Sequence, residues 1–222
     1  MQVLEERTLA GLHSFLESAV ADVPRSSAVL DIGCGTGAWL ERLKRLGFTE
    51  LWGIDNGTRP AIGDIRFVSA DLDREMPRLE TKFGLITLIE VIEHLANPGA
   101  VLSFVSSRLR DGGLVLLTTP NIHSLRCRVK FMLTGRLASF DDKGDPTHVS
   151  PVLISGFRKI AARAGLVVTA SWTYPLTRSL IFGRPIRTAA SVLRLVVQDP
   201  FPGDTLCMTL RRSSGDEHRA PG

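Results

Sequence analysis

Residues 29–39 read VLDIGCGTGAW. An apolar, β-prone run ends at Ile32, glycines follow at 33, 35 and 37, and a helical pattern opens near Trp39. Glycine takes the positive φ values that a tight strand-to-helix turn requires. At Gly33, Gly35 and Gly37 it also lets backbone N–H groups and a helix N-terminus approach a bound molecule. GCGTGA satisfies the GxGxxG/A dinucleotide pattern, and Asp55, about twenty residues on at the end of LWGID, is placed for a ribose. Taken alone, these glycines fit a nicotinamide dinucleotide. Two features argue against it. Asp31 stands two residues before the first glycine, where a carboxylate meets a cationic ligand rather than a pyrophosphate, and no separate catalytic domain follows the nucleotide half.

Outward from this turn, strand-like runs alternate with helical patterns: SAVLDIG, AWLERLKRLG, LWGID, IRFVSAD, FGLITLIEV, a helix from about Pro98 to Leu109, and GGLVLLTTP. Strand, helix, strand in repetition predicts a parallel sheet with helices on both faces. A polar loop, FDDKGDPTH at 140–148, precedes a helix from about Pro151 to Ala164, stopped by Gly165. A strand LVVTASW, an apolar and basic insertion and a last strand DTLCMTLRR complete the pattern. One domain over 1–211 is expected. It has an N-terminal helix over 1–24, substrate-side insertions at 120–148 and 174–203, and a flexible tail at 212–222.

The 222 residues are 44% hydrophobic and 23% charged, the balance of an ordinary globular protein, and no apolar run is long enough to span a bilayer. Acids at Glu5, Glu6, Glu17 and Asp22 interrupt the N-terminal pattern, unlike a signal peptide. Cys34, Cys127 and Cys207 form no CxxC and fit reduced thiols. The expected location is the cytoplasm. Net charge is +4, unevenly spread: residues 1–111 hold 12 Lys and Arg against 16 Asp and Glu, residues 112–222 hold 15 against 7. Between Asp145 and Asp199 there is no acid but seven basic residues, among them Arg178, Arg184, Arg187 and Arg194. Such a half faces an anionic membrane, a phosphorylated substrate or nucleic acid, or else it is a solvated surface.

DIGCGTG resembles the first motif of class I S-adenosylmethionine-dependent methyltransferases, and the match extends over roughly residues 26–211. The resemblance implies a Rossmann-like α/β fold, a seven-stranded sheet of order 3-2-1-4-5-7-6 with the last strand antiparallel. It implies S-adenosylmethionine as cofactor. Asp55 in GIDN, with Asn56 beside it, would hold the ribose hydroxyls. Asp71 in VSADL, between Ala70 and Leu72, would meet the adenine amino group. Asp31 would lie near the methionine end, while Gly33, Cys34, Gly35 and Gly37 bring the backbone close and Ile89 borders the cofactor. Read alone, Asp71 also fits a helix N-cap for the DREMP turn.

Residues 89–95, IEVIEHL, set Glu90, Glu93 and His94 in an apolar run. If the chain turns helical after Leu88, positions i, i+3 and i+4 share one face. The segment resembles two branches of the family, ubiquinone-pathway-like O-methyltransferases and metal-dependent small-RNA 3′-end 2′-O-methyltransferases. By the resemblance it lies beside the sulfonium and the acceptor. His94, His148 of DPTHVS and Glu90 are then the catalytic candidates, a neutral histidine being able to take the acceptor's proton near pH 7. The RNA branch implies a divalent ion, Mg²⁺ or Mn²⁺, held by Glu90, Glu93, His94 and His148, although its aromatic-rich histidine segment is missing here. A capped helix start with a solvated Glu93 and metal-free orientation of substrate by the two histidines remain alternatives.

In TPNIHSLRCRVKFMLTGRLASFDD, residues 119–142, Leu125, Val129, Met132 and Leu133 share a helical face, and Arg126, Arg128, Lys130 and Arg136 have no acid among them. The stretch resembles bacterial methyltransferases that modify lipids, polyketides or glycans. The expected reaction is O-methylation of a small-molecule, glycan or lipid-linked hydroxyl, with peripheral contact to an anionic inner membrane face. RNA methylation is the alternative, less favoured because no RNA-binding segment is appended. A module that binds S-adenosylmethionine without chemistry is another.

Overall fold

The computed structural model describes residues 4–57, 59, 60, 62–176 and 198–213. Strands β1 Val29–Ile32, β2 Leu51–Asp55, β3 Ile65–Ser69, β4 Phe83–Ile89, β5 Leu109–Pro120, β6 Leu166–Tyr174 and β7 Thr205–Arg212 alternate with helices α1 Leu12–Leu16, α2 Ala38–Arg45, α3 Pro98–Arg108, α4 Leu125–Thr134 and α5 Ile154–Arg163. The strands form one sheet of order β3-β2-β1-β4-β5-β7-β6. Pairings from β3 to β5 are parallel, and β7 runs antiparallel to both β5 and β6. This is the order that the resemblance implied.

The sheet is covered on both faces because its central strands are apolar on both. All four residues of β1 are buried, as a parallel strand between two helical layers requires. Leu30 and Ile32 of β1, with Ile86 and Leu88 of β4, pack with Val101, Leu102 and Val105 of α3 and Phe157 of α5. Val29 and Leu85 point the other way, onto Leu40 and Leu43 of α2 and Leu12 and Leu16 of α1. From β1 the chain moves outward to β2 and β3, then returns across to β4. The carboxyl ends of β1 and β4 therefore flank the point where the order reverses, the usual ligand crevice of such sheets.

The glycine turn is enforced by its neighbours. Gly33 has φ 71°, and a Cβ there would lie 2.4 Å from Val91 Cγ2. Gly37, φ 87°, would meet Pro60 and Ile62 at 2.9 Å and forms the N-cap of α2. Gly35, φ 51°, has nothing within 4 Å of where its Cβ would stand.

Several expectations need correction. The helix placed over 1–24 is confined to α1 and a following 3₁₀ turn, Glu17–Val20. Gly11, in the left-handed region, starts α1, and the residues before it bond to other elements: Thr36 Oγ1 donates to the Glu5 carbonyl, and Tyr174 Oη to that of Ala10. No helix begins after Leu88, because β4 runs to Ile89, Glu90 takes φ 53° and only a 3₁₀ turn, Ile92–His94, follows. Residues 151–153 are not helical and Leu153 is extended, so α5 starts later than expected. Arg212 ends β7 rather than opening the tail. The tail from 214, and most of the 174–203 insertion, including Arg178, Arg184, Arg187 and Arg194, lie outside the described residues.

Two substitutions separate backbone conformation from crowding. Gly35→Ala loses only the freedom to adopt positive φ, about 1–2 kcal/mol. Gly33→Ala adds a collision with Val91, a further ~1–3 kcal/mol. Urea denaturation of both variants is expected to rank Gly33→Ala clearly below Gly35→Ala.

Candidate functional site

A cavity of about 820 Å³ opens at the carboxyl ends of β1 to β5, within the size range of small-molecule sites. Asp31, Gly33, Cys34 and Gly35 line it from β1 and its turn. Asp55 and Asn56 line it from the end of β2, and Ala70, Asp71 and Leu72 from the end of β3. Ile89, Glu90 and His94 follow β4, and His148 comes from the loop after α4. Two expected residues are not on its wall. Gly37 is turned into the α2 cap against Pro60 and Ile62, and Glu93 is buried.

Asp55 joins the glycine turn to β2. Its Oδ2 accepts the Gly35 N–H at 2.8 Å and its Oδ1 the Gly57 N–H at 2.8 Å, leaving further lone pairs on both oxygens. Asp71 Oδ1 accepts the Asp73 N–H at 3.1 Å, and Oδ2 lies 3.3 Å from Arg74 Nε. It closes a turn over 71–74 and lines the cavity, but no helix follows, so it is not the helix N-cap of the alternative sequence reading. Asp31 is buried beside Thr87, its partner across the sheet, whose hydroxyl donates to Oδ1 at 2.6 Å. Burial pushes the Asp31 carboxyl up to about 7, against the Thr87 bond and with a push from the Asp55 charge.

Glu90 is held in a left-handed conformation, where its N–H donates to Thr118 Oγ1 at 3.0 Å and its Oε1 accepts from the same hydroxyl at 2.9 Å. Its carboxyl is raised to about 7 by burial, with the Thr118 bond opposing. Glu93 is not the solvated residue of one sequence alternative: it is 0% exposed. Among the described residues neither of its carboxylate oxygens has a hydrogen-bond partner. Burial first and the Glu90 charge second hold its carboxyl well above the ordinary range. Thr119 acts in the opposite direction, but its hydroxyl, unpartnered as well, makes no well-formed bond to it.

His94 and His148, 54 positions apart, stand with ring centroids 4.7 Å apart. His94 Nδ1 lies 2.8 Å from Thr147 Oγ1, and His148 Nδ1 lies 2.8 Å from the Ser139 carbonyl. Burial, and then the charge of His148, lower the pKa of His94, with Asp145 opposing. Glu93, His94 and His148 bring one ligating atom each within 4.8 Å of the others. Glu90 falls outside this group, so the four-residue set expected for a metal contracts to three among the described residues. A buried carboxylate without partners beside two imidazoles has the donor chemistry of a divalent-cation site.

Sequence reasoning missed part of the wall. Glu5, Arg7, Thr8, Leu9 and His13 line it from the N-terminal segment, and Asp145 and Thr147 from the DPTHVS loop. Arg42 of α2 secures the segment through Glu6 at 2.9 Å and Glu17 at 2.5 Å. Nothing local marks this strap. The signal for Thr147 was its place next to His148.

The profile of a family described as a methyltransferase domain matches residues 4–171. Among curated proteins, the chain is similar to the ubiquinone biosynthesis O-methyltransferase of Aeromonas salmonicida, 24% identical over 151 residues, 63% of each chain. It is also similar to that of Nitrosococcus oceani, 33% identical over 103 residues, 42% of this chain and 43% of that protein. The matched region thus spans between about two-fifths and two-thirds of these relatives' length. Among solved structures, a SAM-dependent methyltransferase from Archaeoglobus fulgidus superposes with TM-score 0.61 at 20% identity, covering 90% of this chain and 93% of that one. The CcbJ methyltransferase from Streptomyces caelestis gives 0.64 at 14% identity, with 96% and 94% covered. At such identities these two establish the fold, that of class I methyltransferases.

A buried carboxyl raised to about 7 leaves a sign in stability. The folded state holds the Asp31 proton more tightly than the unfolded chain, so this contribution is fully present below about pH 4 and is lost as pH rises through 7. In ligand-free protein, Asp31→Asn keeps an acceptor for Thr87 and removes the titration. Its stability relative to the parent is expected to increase from pH 5 to pH 8, by up to about 3 kcal/mol, in urea unfolding at each pH.

Proposed function

The chain belongs to the methyltransferase-domain family, and on that premise we propose that it transfers a methyl group from S-adenosylmethionine to a hydroxyl oxygen of a small, glycan or lipid-linked acceptor. The observation that carries this reading is the meeting, in one cavity, of the glycine turn with Asp31, Asp55 and Asp71 on one side and of His94 and His148 on the other. The ubiquinone-pathway names of the relatives favour oxygen as the target atom.

The residues fit the cofactor. Gly35, with no atom near its missing Cβ, leaves room against the backbone. The free lone pairs of Asp55 suit a ribose diol, and Asp71 suits the adenine amino group. Asp31, a carboxylate that burial makes reluctant to ionise, is stabilised by a cationic partner and suits the methionyl ammonium end. When bound, S-adenosylmethionine supplies a methyl already made electrophilic by the sulfonium. The chain then has to orient the acceptor, exclude water and take its proton. His94, kept neutral at pH 7 by its lowered pKa, takes the hydroxyl proton, and His148 and Glu90 orient the acceptor beside it.

A second reading rests on the orphaned Glu93 carboxylate. Glu93, His94 and His148 would hold Mg²⁺ or Mn²⁺, which would supply Lewis acidity at the acceptor oxygen. RNA 2′-O-methylation belongs with this reading.

Away from the cavity lining, α4 carries a patch that suits a lipid surface. On α4, Phe131, Met132 and Leu133 are exposed beside Arg128 and Arg136, whereas Leu125, Val129 and Arg126 are buried and Lys130 pairs with Asp141 at 2.7 Å. The single apolar face expected for this helix is thus divided between packing and solvent, and its basic flank is smaller than the sequence suggested. No helix among the described residues is long and apolar enough to cross a membrane. The proposal is peripheral contact of this tip with an anionic cytoplasmic leaflet.

Two substitutions separate binding from chemistry. Asp55→Ala is expected to weaken S-adenosylmethionine binding in calorimetry by one or more tenfold steps, about 1.4 kcal/mol each. His94→Ala is expected to lower turnover about a hundredfold with that affinity nearly unchanged. Activity lost in excess chelator and restored by Mn²⁺ or Mg²⁺ selects the metal reading; full activity in chelator selects the metal-free base. Unchanged affinity in Asp55→Ala refutes the cofactor assignment.

For the α4 tip, vesicles containing anionic lipid are expected to retain the protein at low salt and release it at high salt. Equal partitioning onto neutral vesicles overturns the membrane contact.

A further inference from the structure

We propose that Thr147 is a positioning residue, which with Asp145 fixes His94 in the tautomer that carries its proton on Nδ1 and leaves the Nε2 lone pair for the reaction. This deepens the reading of His94 above and rests on it.

The argument is a count of hydrogens. Asp145 Oδ1 accepts the Thr147 backbone N–H at 2.8 Å and lies 2.5 Å from Thr147 Oγ1. An ionised carboxylate only accepts, so the one hydroxyl proton of Thr147 points at Asp145. Thr147 Oγ1 then has only lone pairs for His94 Nδ1, 2.8 Å away. That nitrogen must carry hydrogen, and Nε2 is the bare one. Nδ1–H is the minor tautomer of neutral histidine in water, so the hydroxyl is imposing a choice rather than accepting a default. The neighbouring ring is set the same way without a side chain: His148 Nδ1, 2.8 Å from the Ser139 carbonyl, can only donate to it. Ser139 has φ 66° and Gly144 packs against its carbonyl, where a Cβ would come within 2.7 Å. The backbone is therefore held, at some strain, in the conformation that aims this acceptor. Two imidazoles in contact both end with free Nε2 atoms.

Nothing in the arrangement depends on whether Nε2 takes a proton or binds a cation. Histidines that ligate metals are ordinarily oriented by donating the other ring N–H. Asp145 and Thr147 are exposed at the rim, so losing either hydrogen bond removes no core packing.

The test reads the ring itself. In full-length chain with ¹⁵N-labelled histidine, chelator-treated and without cofactor, long-range ¹H–¹⁵N correlation spectra distinguish the two tautomers. The expected result is Nδ1–H at His94 in the parent and in Thr147→Ser. A shift toward Nε2–H is expected in Thr147→Val, and a mixture in Asp145→Ala, where the freed hydroxyl can also donate to the ring. Turnover is expected to fall about ten- to a hundredfold in Thr147→Val, the usual size for an orienting partner. Cofactor affinity should be unchanged and Thr147→Ser should restore the rate. A His94 spectrum that Thr147→Val leaves unchanged overturns the proposal, as does a Thr147→Ser variant no better than Thr147→Val. Because the spectrum requires neither acceptor nor catalysis, it decides the tautomer even if His94→Ala leaves turnover intact and the proton-acceptor reading fails.

Discussion

The carbonyl of Ile54 accepts both the Gly33 N–H at 2.7 Å and the Cys34 N–H at 3.1 Å, and Asp55 next to it accepts the Gly35 N–H. This clasp between the turn after β1 and the end of β2 constrains everything above the sheet. It requires left-handed backbone at Gly33, which in turn admits Val91 where a side chain would stand. Val91 begins the segment that carries Glu93 and His94. The glycine-turn side and the histidine side of the cavity thus meet through one missing Cβ, a contact that only glycine at position 33 permits.

The second constraint is electrostatic. Asp31, Glu90 and Glu93 are three carboxyl groups pushed upward, each chiefly by burial. Threonine hydroxyls from neighbouring strands, Thr87 and Thr118, offset part of this for the first two. Glu93 has no such bond, and its charge competes with that of Glu90. A site built this way is poorly disposed to carry three negative charges alone and well disposed to receive positive ones. The expected cofactor brings an ammonium and a sulfonium against a single carboxylate, a net of one positive charge, and a divalent ion at Glu93 would bring more. Binding of cations and deprotonation of the pocket are therefore linked, and the cavity gains complementary charge only as it fills.

How much of this was legible follows from the range of the interactions. The glycine turn, Asp55 and Asp71 were readable because strand, turn and helix are local, with β-turn-α spacing repeated along the chain. The sheet order followed from the resemblance, and the apolar runs agreed with it. His94 and His148 were paired through that resemblance, but the helix drawn through Glu90, Glu93 and His94 was wrong. Extended β4 continues to Ile89 because Glu90 bonds to Thr118 of β5, a partner 28 residues away. Periodicity cannot report such a bond. The N-terminal strap was hidden for the same reason: its fixings to Thr36, Arg42 and Tyr174 all come from distant sequence.

The pairing of the two histidines is supported by main chain as well as by the His94 ring's contact with Thr147. The carbonyl of Glu93 accepts from both Val149 N and Ser150 N at 2.9 Å, and Ser150 Oγ donates to the Leu95 carbonyl at 2.6 Å. These bonds dock the DPTHVS loop beside the 3₁₀ turn, the two to the Glu93 carbonyl through main chain alone and the third through the Ser150 hydroxyl. The wall that holds Asp31, Asp55 and Asp71 is formed at the ends of β1 to β3, whose positions the sheet register fixes, whereas the opposite wall takes Ser139, Asp145, Thr147 and His148 from this docked loop. A fold so divided can keep one methyl donor and change acceptors by changing loop side chains. In this chain Ser139, Asp145, Thr147 and His148 form the part of the cavity wall that a docked loop, rather than sheet register, holds in place.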